Sequence, residues 1–330
     1  LMIHCSNSAN IMPSTITSNS PDQSTSGHAM ISQYRSPVFI VGLPRSGTTL
    51  LQSILCSTSS FFPIPETHFF SRAARGLPGY GLSSQQREKI AEILQRKSDI
   101  EIPPSELAGC ETKKQAFETV IDRFNPGNVQ RFLEKTPRHL FFYDEIIESY
   151  PDARFVCLLR EPCNSASSIL NMGDKGKSML LLSLAYNRFV QTALQHDQND
   201  NFMIVKYEDL TDGSDAAFRK IFSFIDVPFD GHLLTSFGAA AREVIGERET
   251  WKHGVITSKG VDKNDPDKWK QTLSLSEGAL IQMLTRSCAM ALGYSAERKP
   301  LSAVAGLIRD LAKLPNPAEV RRFVAEFRGD

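Results

Sequence analysis

Between Phe39 and Leu55 the chain reads FIVGLPRSGTTLLQSIL. Gly42 and Gly47 carry the spacing of a phosphate-binding loop, after an apolar run and before a helical pattern. Arg45, Ser46, Thr48 and Thr49 add a cation and hydroxyls to the same turn. Loop N–H groups and the start of the next helix then form an anion cradle. A nucleoside triphosphatase carries lysine where this chain has Thr48, so the cation that reaches the outer phosphates is missing. The expected ligand is a nucleotide whose outer group bears less charge than a triphosphate. A phosphosulfate meets that condition, and its transfer has no obligate metal.

Such a loop needs a sheet to present it. Val38 to Gly42 is a short apolar run of the kind buried on both faces of a parallel sheet, and Thr48 to Ser57 follows as a helix. Arg154 to Leu159 reads as a second buried strand, Phe202 to Val205 as a third and Arg131 to Glu134 as a short fourth. Helical patterns fill much of Ser83 to Phe124 and His139 to Ser149, the latter stopped by Tyr150-Pro151. Further helices start at Cys163 and Ser178, follow YEDL (Tyr207 to Leu210, with Asp209 as a candidate cap), and occupy most of the chain beyond Pro228. This alternation predicts an α/β fold of three layers, a mainly parallel sheet with helices on both faces. Ligands of such sheets bind beyond the carboxyl ends of the strands, where Gly42, Arg160 and Tyr207 fall.

Residues 1–35 are rich in Ser, Thr, Asn and Gln without periodicity and read as a disordered arm or linker. Residues 36–296 form the α/β domain, and 297–330 a helical tail broken at Leu314-Pro315-Asn316-Pro317. Basic and acidic residues balance at 37 each, which argues against a general nucleic-acid binder. No apolar run reaches bilayer length, and the start of the chain lacks the order of a signal peptide. The 6 cysteines form no CxxC pair and read as free thiols. A cytoplasmic setting without metal, membrane or nucleic acid is expected. Aromatic residues near the loop, Phe61, Phe62, Phe69, Phe70, Phe141, Phe142 and Tyr143, either line an acceptor pocket or, for the most part, fill the core.

GLPRSGTTLL resembles the 5′-phosphosulfate loop of sulfotransferases that use 3′-phosphoadenosine 5′-phosphosulfate (PAPS). Its PRSGTT form is shared by tyrosylprotein sulfotransferases and a broad bacterial group. The resemblance runs from about Pro37 to Trp269. It implies a P-loop-NTPase-like sulfotransferase fold, PAPS as donor, 3′,5′-bisphosphoadenosine as product, and no metal. In that family a strand-end arginine and a serine eight residues later grip the 3′-phosphate; ARFVCLLREPCNSASS puts Arg160 and Ser168 there, chemistry that suits both side chains. TSKGVDKNDPDKWK resembles the segment that closes over the same phosphate, with Lys259, Gly260 and Trp269 matching and Ser258 in an arginine's place. EKTPRH places Lys135 as the lysine that touches the bridging oxygen between phosphate and sulfonate. Pro137 occupies the position of the catalytic histidine of cytosolic members, so the base lies elsewhere. PIPETHFF puts Glu66 where the tyrosylprotein-like branch keeps its glutamate base; the alternative for Glu66 is to cap the short helix after it. His68 and His139 are rival bases. If the stretch is extended, Glu66 and His68 point apart.

The resulting expectation is sulfonate transfer from PAPS to a hydroxyl, or an amine, of a small molecule or a carrier-tethered biosynthetic intermediate. Glu66 (rival, His68), Lys135 and Arg45 carry the chemistry. Arg45, Ser46, Gly47, Thr48 and Thr49 hold the 5′ end; Arg160, Ser168, Lys259 and Gly260 hold the 3′-phosphate. Two other readings stand beside it: a small-molecule kinase on a related loop, and a non-catalytic nucleotide-binding module. The missing lysine counts against the first; Lys135, Arg160 and Ser168 at compatible spacing count against the second.

Overall fold

A computed structural model describes residues 34–311, apart from 63, 126, 128, 173–177, 239–260, 262, 264 and 296–299, together with residue 321. Lys259 and Gly260, most of the N-terminal arm and the second half of the tail lie outside the described residues.

Strands β1 (Val38–Gly42), β2 (Leu133–Lys135), β3 (Arg154–Leu159) and β4 (Phe202–Lys206) form one sheet in the order β2-β1-β3-β4. All pairings are parallel, with Ile40 opposite Lys135, Gly42 opposite Leu158 and Leu159 opposite Lys206. Strands β1, β3 and β4 are largely apolar at successive positions because both faces are covered, whereas β2 carries Glu134 and Lys135. Phe39, Val41, Phe155 and Cys157 join one core, shared with α2 (Ser84–Ser98), α3 (Lys113–Asp122), α4 (Tyr143–Ser149) and α6 (Met179–His196). Val38, Ile40, Val156 and Leu158 join a second core with α1 (Thr48–Leu55), α7 (Tyr207–Leu210) and α8 (Ala216–Phe224). The expected three layers result.

Side-chain alternation thus divides the strands between two cores. The first is dense in aromatic rings: Phe39 stacks on Phe155 at 5.1 Å, and Phe69 and Phe70 each lie 5.0 Å from Phe117. Phe61, Phe62, Phe69, Phe70 and Tyr143 are all buried, so these residues fill the interior.

A third cluster joins α5 (Pro162–Leu170) to α6, Trp269 and α10 (Leu275–Ala291), with α9 (Leu233–Ser236) preceding it in the chain. Helix α11 (Pro300–Leu311) packs on α10, where a Cβ added to Gly306 would come within 2.2 Å of the Ser276 carbonyl oxygen. The buried Asp310 carboxylate accepts from Ser178 Oγ at 2.6 Å and from the N–H groups of Met179 and Leu180 at 2.6 and 2.9 Å. A carboxylate at a helix start is favourable, and this one fastens the first tail helix to the body.

Local boundaries differ from the sequence reading in instructive places. Tyr34 and Arg35, read with the arm, belong to the body: the Tyr34 ring meets Phe132 edge-on at 5.1 Å and its hydroxyl donates to Asp122 at 2.5 Å. The segment read as one helix from His139 is a 3₁₀ turn over Pro137–Phe142, opened by its proline, followed by α4. Strand β2 ends at Lys135 itself, one residue later than read. Among the described residues the cysteines are free, and no helix is long and apolar enough to cross a membrane.

Candidate functional site

The loop from Leu43 to Gly47 leaves the end of β1 and enters α1. Gly42 has φ +118°, and a Cβ there would lie 2.2 Å from the Leu158 carbonyl oxygen. Gly47 has φ +88°, and a Cβ there would lie 2.6 Å from the Tyr207 ring. Both positions therefore demand glycine, on conformation and on space. Ser46 is fully buried, its hydroxyl between the carbonyls of Leu43 (2.6 Å) and Leu158 (2.9 Å). Ser46, expected among the ligand's donors, is engaged within the loop and braces it.

Among the described residues no side chain caps α1, and no acidic residue stands in its first turn. Its leading N–H groups have no partner within the helix and leave partial positive charge facing the loop. Thr48 is buried at the helix start, while Thr49 and Arg45 are half-buried. Arg45 adopts φ +70°, uncommon for a side-chain-bearing residue, and its Nε donates to Ser168 Oγ at 3.5 Å.

Arg160, one residue beyond β3, is buried. One of its terminal nitrogens donates to the Arg45 carbonyl at 3.2 Å, and its guanidinium lies 4.2 Å over the Tyr207 ring. Its Nε is buried without a hydrogen-bond partner among the described residues. The structure thus brings Arg45, Arg160 and Ser168 together, with Tyr207 packed beneath. Glu208 accepts from the Glu161 N–H at 3.1 Å and from the Tyr294 hydroxyl at 2.6 Å. Asp209 lies inside the single turn of α7 and is not the cap of α8, which begins at Ala216.

A second cluster forms at the end of β2. The Lys135 ammonium bonds directly to the Glu66 carboxylate, whose other oxygen lies 3.4 Å from His68 Nε2. His68 has φ +50°, so the stretch is not extended there. Glu66 and His68 converge, contrary to the expectation that they point apart; alternate residues share a face even in an extended stretch, so that expectation misjudged the geometry. Glu66 caps nothing: the π-helical turn Phe69–Ala73 that follows starts from His68 without a side-chain cap. His139 is fully buried, with Nδ1 2.9 Å from Glu134 and the Phe70 ring edge-on at 5.3 Å, so it belongs to the interior.

Charge in this cluster is settled by burial and neighbours. Desolvation pushes the Glu66 carboxyl up, but Lys135 and His68 outweigh it and hold the group below the usual carboxylate range. Desolvation pushes His68 down to about 4, against the opposing pull of Glu66. At neutral pH Glu66 is a carboxylate and His68 a neutral imidazole. Of two rival bases, Glu66 alone combines full charge with contact to Lys135.

Sequence reasoning missed Thr67, Glu134 and Thr136, which tie the Glu66 loop to β2: Glu134 accepts from the Thr67 hydroxyl at 2.8 Å and the Thr136 hydroxyl at 2.5 Å. The available signal was a lone acid in the otherwise apolar run Phe132–Glu134.

Residues 37–231 match the family described as "Sulfotransferase family". The chain is 26% identical over 207 residues to a protein-tyrosine sulfotransferase of Drosophila melanogaster, covering 60% of this chain and 39% of that one. It is 21% identical over 296 residues to nodulation protein NoeE of Sinorhizobium fredii, covering 78% of this chain and 65% of that one. The chain therefore spans less than two thirds of either relative. The sulfotransferase domain from the Synechococcus PCC 7002 olefin synthase has a similar fold, with a TM-score of 0.54 at 20% identity, covering 80% of this chain and 98% of that chain. Because the family match takes in more than half of its residues, and the loop and strand-end residues above lie within the matched span, the chain belongs to the sulfotransferase family.

Proposed function

We propose that this protein moves a sulfonate group from PAPS to an acceptor hydroxyl, or an amine, of a small molecule or a carrier-tethered biosynthetic intermediate. The observation that carries the reading is the meeting of Lys135 and Glu66 at the end of β2, in the same parallel sheet whose β1 feeds the loop and whose β3 leads to Arg160. The residues present suit a nucleotide with phosphate at both ends. The start of α1, uncapped among the described residues, suits one anion, and Arg160 with Ser168 and Arg45, its buried Nε without a partner among those residues, suits another.

Bound donor supplies an electrophilic sulfur and a bisphosphate leaving group. Arg45, Gly47, Thr48 and Thr49 orient the 5′ end. Arg160 and Ser168 hold the 3′-phosphate; Lys259 and Gly260 are assigned to it by resemblance. Glu66 takes the acceptor's proton, and Lys135 presents its ammonium to the oxygen on which charge grows. The olefin synthase domain, part of a larger synthase by its name, is what recommends testing a carrier-tethered acceptor. The free cysteines suit a reducing, cytoplasmic setting.

The deciding experiment follows radiolabelled sulfonate from PAPS into a panel of hydroxyl and amine acceptors, with thermal shift by 3′,5′-bisphosphoadenosine alongside. Stabilisation by ATP but not by the bisphosphate would favour the kinase reading. Tight bisphosphate binding without transfer to any acceptor would favour a binding module.

Transfer is expected to continue in excess chelator, since Thr48 replaces the lysine of magnesium-dependent loops. Activity that vanishes with chelator and returns with magnesium would contradict this.

Arg160→Ala is expected to raise KM for PAPS more than it lowers kcat. Its ion pair with the 3′-phosphate forms in ground and transition states alike. Discrimination against a donor lacking that phosphate should shrink as well. A mutant that binds both donors like wild type removes Arg160 from the site.

A further inference from the structure

Glu134 is fully buried, next to Lys135 on β2. Burying a lone carboxylate is costly unless it is paired and hydrogen-bonded. Here the Thr67 hydroxyl and N–H donate at 2.8 and 3.4 Å, the Thr136 hydroxyl at 2.5 Å, and His139 Nδ1 lies 2.9 Å away. Desolvation pushes the carboxyl up, but His139 and these donors prevail and keep it below the usual range. The partners come from three segments: the loop between Glu66 and His68, the end of β2, and the 3₁₀ turn after it.

The loop meets the strand with matched alternation. Glu66 faces Lys135, and its neighbour Thr67 faces Glu134. Two further bonds hold the same residues, Ser98 Oγ to the Thr67 carbonyl at 2.6 Å and the His68 N–H to Thr136 Oγ1 at 3.3 Å. An apolar residue at 134 would fill the space but would not choose between neighbouring registers of the loop. Directional bonds to a buried acceptor do choose.

We propose that Glu134 is a positioning residue that clamps the Glu66–His68 loop to the end of β2, setting the Glu66 carboxylate against Lys135. It touches no reacting atom. The assignment rests on the reading of Glu66 as base and Lys135 as its charged partner.

The test uses Glu134→Gln, nearly isosteric, which puts an NH2 where an acceptor oxygen stood. Its kcat is expected to fall about 10–100-fold, the scale of a small misplacement, with KM for PAPS unchanged. The decisive arm is the double mutant with Glu66→Gln. If Glu134 acts through Glu66, the pair loses no more than Glu66→Gln alone; multiplied losses would overturn the proposal.

A second readout needs no turnover. In histidine-labelled protein, the His68 ring resonances should move in Glu134→Gln while those of exposed His232 stay; an unmoved His68 also overturns it. Should Glu134→Gln fail to fold, Thr67→Val removes a single hydroxyl. It is expected to lower kcat about 10-fold with the same non-additivity and to move His68 in the same way; full kcat with an unmoved His68 counts against the clamp. If wild type transfers sulfonate to no acceptor, the functional reading fails, and the His68 resonances still decide the clamp.

Discussion

Glu66→Gln is expected to lose about 10²–10⁴ of kcat while binding 3′,5′-bisphosphoadenosine like wild type. The variant keeps the shape of the side chain and a hydrogen-bonding oxygen but cannot accept the acceptor's proton. Among the described residues the other candidates serve less well. Pro137 cannot accept a proton, His139 is buried against Glu134, and His68, though neutral and able to accept one, is made a weaker base than a free imidazole by burial. His68→Asn should therefore lose far less than Glu66→Gln. A dead His68→Asn beside an active Glu66→Gln would reverse the two roles.

The pH profile follows from the same contacts. Lys135 and His68 hold Glu66 below the usual carboxylate range, so the carboxylate we propose as base stays ionised until the medium is quite acidic. Activity falls as pH drops through the native pKa of Glu66. The acid limb of kcat/KM thus lies below the range of an ordinary carboxyl and is absent in Glu66→Gln. A limb near the ordinary histidine range, retained in that mutant, would point away from Glu66.

Lys135→Ala should cost about 10²–10³ in kcat with a smaller change in KM. The ammonium is worth most where negative charge develops, which happens only as the sulfonate departs. The mutant should also carry a second signature. Lys135 is the largest influence holding Glu66 down, so its loss leaves desolvation less opposed and raises the carboxyl's pKa. The acid limb should move to higher pH in Lys135→Ala. Normal kcat with raised KM and an unmoved limb would make Lys135 a simple donor anchor.

The chain by itself determined the parallel α/β fold, because strands buried on both faces, β1, β3 and β4, are written as largely apolar runs. It also determined the loop, because only glycine fits at 42 and 47 and that spacing survives in one dimension. Arg160 was legible as a strand-end cation, because a strand's end fixes where its next residue goes; Lys135, the last residue of β2, was picked out by resemblance. Tertiary structure decided the rest. That Glu66 and His68 meet beside Lys135 is a matter of tertiary placement, and the left-handed backbone at His68 is a conformation residue type does not announce. Ser46 reads as a ligand donor in sequence and becomes a brace only when the Leu158 carbonyl, from another strand, arrives beside it. Glu134 is an acid in an apolar run until Thr67, Thr136 and His139 surround it. Thr136 and His139 are near it in sequence, but Thr67 comes from a loop far back in the chain, and no local pattern encodes that proximity.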